Sequence, residues 1–192
     1  EIDHTYQYWV VDLEPLENSP ELVKTADPYS HLVLSPFDDP WIPENSYPDL
    51  PIYPEGQERE VTLLNLSSNE YNWQVENFEK PKKEDLIIYE VLIRDFDSER
   101  TFQNLIDKID YFKNLNINAI ELMPVMEFEG NESWGYNTAF HMAVDKFYGP
   151  ENKLKEFIDL CHQNDIAVIL DLVMNHVMGR SPMNRMWMQD PN

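Results

Sequence analysis

The chain has 192 residues, 42% of them hydrophobic, which is enough for one core of moderate size and a small second unit. Its formal net charge is -22, from 14 basic and 36 acidic residues. Nucleic acid and anionic membranes both call for a positive surface, so this balance excludes them as partners and leaves neutral ligands.

Aromatic residues are plentiful, with 10 Tyr, 9 Phe and 5 Trp. Most suit a core, and their faces also suit stacking on the C–H faces of sugars. The single cysteine, Cys161, allows no disulfide within the chain. It falls on the apolar face of a predicted helix and reads as buried packing. There is no signal peptide, no apolar run long enough to span a membrane and no lipidation motif. The chain opens on Glu1 inside a strand-like stretch and ends on Asp190-Pro191-Asn192 without a closing element. Both ends therefore read as cut, and the location of the parent protein stays open between cytoplasm, periplasm and exterior.

Taken in order, Tyr6 to Val11 alternate in a way that predicts a strand, and His31 to Leu34 predict a short second one. Pro36, Pro40, Pro43, Pro48, Pro51 and Pro54 then exclude both helix and central strand. That stretch must be extended and must lie on something, with Trp41, Tyr47 and Tyr53 as anchors. Glu60 to Leu66 reads as another strand. A polar hinge at Lys80, Pro81, Lys82 and Lys83 places a boundary near residue 84.

Beyond it the pattern becomes strand–helix alternation. Leu86 to Ile93 predict a strand. Phe102, Leu105, Ile106, Ile109 and Phe112 fall at helical spacing, with Thr101 as N-cap and Asn116 as a left-handed stop. Ala119 to Val125 predict a second strand. Leu154, Phe157, Ile158 and Cys161 mark a second helix, left near Asn164. Ile166 to Met174 form an apolar run interrupted by Asp171, which reads as a third strand buried on both faces. By the two-residue period, Asp171, Val173 and Asn175 share one face. A buried Asp needs a partner. It either pins neighbouring strands or delivers a polar group to a site, and this stretch alone leaves both open. The order β-α-β-α-β predicts parallel strands with right-handed crossovers. Residues 126–150 form an unusually long connection, expected to be a functional loop. It holds Glu127, Glu129 and the run Ser133-Trp134-Gly135-Tyr136-Asn137.

At this point the chain resembles the α-amylase superfamily, glycoside hydrolase family 13. Four motifs in register carry the resemblance. Asp171-Leu172-Val173-Met174-Asn175-His176 is similar to the family's third-strand signature. Trp134-Gly135-Tyr136-Asn137, followed by Phe147-Tyr148-Gly149, is similar to its loop after the second strand. The run from Tyr89 to Phe96 is similar to its first strand, and that from Glu121 to Val125 to its second. The branch it resembles most includes branching and debranching enzymes with an immunoglobulin-like domain ahead of the barrel.

The resemblance implies an α/β fold comprising the first three β/α units of a TIM (β/α)8 barrel. A small β-rich remnant of an immunoglobulin-like domain precedes it. Residues 1–84 would be that remnant plus the Pro-rich linker, and residues 85–192 the start of the catalytic domain. It implies that Tyr136 stacks on a sugar ring with Trp134 supporting it, and that His176 binds the ring's hydroxyls. Asp171 would orient a later arginine, and Asn175 would be a calcium ligand in members that bind calcium. Arg94 and Asp95 would form a strand-end ion pair, and Glu90 and Glu121 would be interior polar groups. His141 stands where the family often has an aromatic residue.

A retaining glycosidase needs two carboxyl groups about 5–5.5 Å apart. The resemblance implies that the nucleophile and acid/base lie beyond Asn192, so this chain is expected to be an inactive fragment of an enzyme acting on α-linked glucans. The expected partners are an α-glucan and the remaining barrel, or a second copy through the open sheet edge. Two competing readings are a non-catalytic glucan-binding module and a branching or other transglycosylating enzyme of the same family. A metal-dependent barrel using Asp171 and His176 is disfavoured because no second ligand cluster has suitable spacing.

Overall fold

The computed structural model describes residues 4–64 and 70–187. The N-terminal part is antiparallel β-structure: β1 (His4–Tyr6), β2 (Tyr8–Val11), β3 (Leu22–Thr25), β4 (Val33–Leu34) and β5 (Val61–Leu64). β5 lies between β1 and β4, while β2 and β3 form a separate hairpin. The single strand expected over Tyr6–Val11 is thus split between two sheets. Gln7 marks the corner: its side-chain amide donates to the carbonyls of Glu58 and Glu60, both at 2.8 Å. Residues 65 and 66 of the strand expected from Glu60 lie outside the described residues.

Lys83–Asp85 make a short 3-10 turn, and the strand–helix alternation follows. Its elements are β6 (Ile88–Val91), α1 (Ile93–Phe96), α2 (Phe102–Asp107), α3 (Ile109–Asn114) and β7 (Ala119–Leu122). The antiparallel pair β8 (Met126–Phe128) and β9 (Thr138–Val144) comes next, then α4 (Glu151–Gln163), β10 (Ala167–Leu170) and α5 (Pro182–Trp187). Thr101 caps α2 as expected, accepting the Asn104 N–H at 3.2 Å. Asn116 adopts φ 54°, the left-handed conformation anticipated for a helix stop. The one helix expected over 102–112 breaks at Lys108, whose ψ of 14° interrupts the ladder.

β6, β7 and β10 are parallel, with β7 in the middle and Glu90, Glu121 and Ile169 in register. One face of this sheet is covered by helices. Val91, Ile120 and Leu122 pack there with Phe102, Leu105, Phe112, Phe157 and Cys161, all buried. Burial pushes the Cys161 thiol up to about 12, so it is packing rather than a nucleophile. The opposite face carries Ile88, Glu90, Glu121 and Ile169, which are half-buried or exposed.

That asymmetry corrects the reading of the third strand. β10 ends at Leu170, not Met174, and its residues are half-buried or exposed. β10 is an edge strand, and among the described residues no element covers its second face. The two-residue period accordingly stops before Asp171, and Val173 is buried while Asn175 is exposed. The ladder continues one step further, because Asp171 donates its N–H to Leu122 O at 3.0 Å.

The long connection after β7 is also different from expectation. It is not an irregular loop but the bulged hairpin β8–β9, in which Glu127 faces Phe140 and Phe128 faces Thr138. The N-terminal part packs directly on it, with Ala26 and Val33 sharing an apolar cluster with Ala139, Phe140 and Ala143. The stretch after residue 70 runs along α4. There the buried Asp159 accepts the N–H groups of Gln74 and Val75 at 2.9 and 3.0 Å and the Tyr71 hydroxyl at 3.2 Å. Phe78 stacks on His162 with centroids 4.0 Å apart. No helix among the described residues is long and apolar enough to cross a membrane.

Candidate sugar-binding site

The turn between β8 and β9 presents Tyr136, and its shape depends on Gly135. Gly135 has φ +92°, and a Cβ there would stand 2.3 Å from the Pro124 carbonyl oxygen. Only glycine tolerates both conditions. Its N–H donates to Ser133 Oγ at 2.9 Å, and Ser133 Oγ bonds in turn to the Asn137 side chain. Asn137 Nδ2 donates to Glu129 O at 2.7 Å, closing the neck of the turn. The backbone therefore presses against the C-terminal end of β7, and the next side chain, Tyr136, projects over the strand ends.

Four expected site residues meet there. The Tyr136 hydroxyl donates to Asp171 Oδ2 at 2.5 Å. His176 Nε2 lies 2.6 Å from Tyr136 O, and its Nδ1 lies 2.8 Å from Asn175 Oδ1. A carbonyl only accepts, so His176 Nε2 carries a proton. Tyr136 is 38% exposed, leaving much of its ring open. The hydrogen bond to Asp171, then burial, then the charges of Asp171, Glu90 and Glu121 push its phenol up to about 12. It is thus a neutral hydrogen-bond donor across the physiological range.

Trp134, on the same turn, is 60% exposed, more than Tyr136. His141 lies beside the site, donating from Nε2 to Val173 O at 2.9 Å and holding the chain after β10. Arg94 and Asp95 pair as expected, at 2.7 and 2.8 Å, but within α1 rather than at a strand end.

Calcium binds through six to eight oxygens. Asn175 would supply one, and among the described residues no group of three or more His, Cys, Asp or Glu could hold a metal. These residues do not make a calcium site by themselves.

Sequence reasoning missed a second polar cluster at the other end of the hairpin. Lys146 is 1% exposed, pairs with Glu127 and lies 3.3 Å from Asp39 Oδ1. Burial alone would push Lys146 down, but Glu127, Asp39 and Asp145 overcome it and push it up. Asp145, pushed well above the ordinary carboxylate range by burial and by Glu127, accepts the Phe128 and Phe147 N–H groups at 3.2 and 3.0 Å. The signal was Asp145-Lys146 between the apolar Val144 and Phe147, a charged pair where the pattern calls for core.

A parallel sheet clad by helices on one face, with polar groups collected where its strands end, is the build of an α/β domain that binds ligands at that edge. Residues 68–186 match the α-amylase catalytic domain, and the chain belongs to that family. A malto-oligosyltrehalose trehalohydrolase from Saccharolobus solfataricus is 42% identical over 112 residues, covering 58% of this chain and 20% of the relative. The crystal structure of an α-amylase-like protein from Salmonella typhimurium superposes with a TM-score of 0.67 at 25% identity, over 86% of this chain and 25% of the other. The GBS pullulanase SAP, solved in complex with maltotetraose, superposes with a TM-score of 0.56 at 25% identity, over 81% of this chain and 24% of the other. The chain thus spans about a fifth to a quarter of the length of these relatives.

Proposed function

We propose that this chain is the N-terminal part of a retaining α-amylase-type glycoside hydrolase acting on α-linked glucans. In this reading β6, β7 and β10 are the first three strands of a β/α barrel, and residues 1–84 hold the end of an immunoglobulin-like domain. The observation that carries the reading is the meeting of Tyr136, Asp171 and His176 at the C-terminal ends of the parallel strands, with the Tyr136 ring open to solvent. The binding of maltotetraose by a structural relative gives it a substrate class.

The geometry suggests how the residues act. The Tyr136 face stacks on the C–H face of a glucose ring, and Trp134 offers a second face at its edge. Asp171 holds the Tyr136 phenol in place, a role added to the expected contact with a later arginine. His176, anchored through Nε2, reaches the ring's hydroxyls with its edge. A contact of that kind accelerates the reaction to the extent that it strengthens as the ring distorts toward an oxocarbenium ion. The nucleophile and acid/base come, in this reading, from strands after β10, so residues 1–192 alone recognise a ring without cleaving its bond. Calcium at Asn175 would need further oxygen ligands, such as backbone carbonyls.

A narrower substrate is favoured by the 42% identity to a trehalohydrolase: a malto-oligosaccharide ending in trehalose. The test is to incubate the full-length gene product with starch, glycogen, pullulan and malto-oligosyltrehalose. New reducing ends, branch content and free trehalose are measured. Hydrolysis of any of these supports the glycosidase reading, and trehalose release selects the narrower one. New branches without net hydrolysis would move the protein to the transferases. Binding without turnover would leave a glucan-binding module.

A further inference from the structure

The segment that carries His176 has few apolar anchors. Val173 is buried, but Leu172 is 52% exposed and Met174 75% exposed, so burial fixes the chain between Asp171 and Ser181 at few points. Polar clasps do the fixing. His141 holds the Val173 carbonyl, and Met178 donates its N–H to Thr138 O at 2.9 Å. The strongest clasp is at Arg180. Its backbone N–H donates to Glu129 Oε1 at 2.5 Å, and its Nη1 pairs with Asp38. Its Nε lies 3.9 Å from Glu60 Oε1, and its guanidinium lies over the Phe37 ring at 4.7 Å.

Those partners come from two separate parts of the molecule. Phe37, Asp38 and Glu60 belong to the N-terminal part, whereas Glu129 belongs to the hairpin neck that Asn137 closes beneath Tyr136. Asp38 and Glu60 are both buried, and Glu60 Oε1 has no hydrogen-bond partner, so Arg180 supplies the positive charge that faces them. Without it, Asp38 would lose its ion-pair partner, and Glu60 would keep only the charges of Arg185 and Arg59.

We infer that Arg180 is a positioning residue for glucan recognition, locking the His176 segment to the Tyr136 hairpin and tying both to Asp38 of the proline-rich N-terminal stretch. Arg180 touches no sugar. It works by keeping His176 Nε2 on Tyr136 O, so the N-terminal part becomes a portion of the site's frame. The inference rests on the proposed role of Tyr136 and His176 in holding a glucan ring.

The experiment uses the full-length protein with Arg180→Ala, Arg180→Lys and Asp38→Asn, each also combined with His176→Ala. Hydrogen exchange at the Met178 amide reports the clasp, and steady-state hydrolysis of malto-oligosaccharides reports its consequence. Arg180→Ala is expected to speed that exchange and to lower kcat/KM by about 10- to 100-fold, the scale of a small misplacement. Arg180→Lys should recover part of both. In the His176→Ala background, Arg180→Ala should cost little more, because the group it positions is gone. Arg180→Lys and Asp38→Asn loosen the same clasp, so the comparison survives if the alanine variant fails to fold. Unchanged exchange, or equal losses in both backgrounds, would overturn the inference. A wild-type protein that neither binds nor cleaves an α-glucan would instead remove the reading of the site, while unchanged exchange would still overturn the clasp.

Discussion

The hairpin β8–β9 carries polar groups at both ends, and they are built in opposite ways. At the open end of its strands, Lys146, Glu127 and Asp145 are buried and face one another and Asp39. At its turn, Tyr136 is exposed and bonds outward to Asp171 and His176. Charges removed from water must be matched inside the protein, and Lys146 matches Glu127 and Asp39 within the first cluster. The second keeps ring faces and an imidazole edge in water. Solvent access, rather than the count of charged residues, separates the joint that holds the molecule together from the place proposed to meet a sugar.

The largest expected effect breaks the buried end. Lys146→Met should destabilise the protein by about 3–5 kcal/mol, because it leaves Glu127 and Asp39 without their cation. Equilibrium denaturation measures this. The double variant Lys146→Met with Glu127→Leu should recover much of the loss, since an apolar pair avoids the desolvation cost. Gly135→Ala comes next. It forces a Cβ onto the Pro124 carbonyl at positive φ and should cost about 1–3 kcal/mol, displacing Tyr136 and weakening glucan binding as well. Tyr136→Ala should leave stability close to wild type but reduce maltotetraose affinity about tenfold, some 1.4 kcal/mol. Calorimetry against the unfolding midpoint separates those two readouts.

The smallest effect is in titration. Tyr136 has its phenol raised to about 12, above the ordinary value near 10. A raised acid favours its protonated form when folded, so the Asp171 contact is fully present below about 10 and fades as pH rises through about 12. Difference spectroscopy of wild type against Tyr136→Phe should show one late phenol. Asp171→Ala should bring it down, and an unmoved phenol would remove Asp171 as its partner.

How much of this was legible in the sequence follows from which interactions are local. The helix cap at Thr101, the stop at Asn116 and the parallel strand order rest on short-range propensity and periodicity, and they came through. The break at Lys108 and the end of β10 at Leu170 did not. The exposure of β10 depends on what lies across the sheet, which an apolar run does not encode. The hairpin β8–β9 was hidden because its bulges spoil the two-residue alternation. The gathering of Tyr136, Asn175 and His176 was readable from motifs that follow strand ends, whereas the Tyr136–Asp171 hydrogen bond was not. Arg180 and Lys146 were not, because their partners Asp38 and Asp39 stand more than a hundred residues away in a proline-rich stretch without periodicity.

The central claim is that the exposed cluster, and not the buried one, holds a glucan ring. It is tested most directly by titrating the full-length protein with maltotetraose while following the imidazole resonances of His176 and His141 and the ammonium of Lys146 by NMR. The account predicts a saturable shift at His176, a smaller one at His141 beside it and none at Lys146, with the His176 shift abolished by Tyr136→Ala. Saturable binding that leaves His176 unmoved, or that survives Tyr136→Ala unchanged, would contradict it.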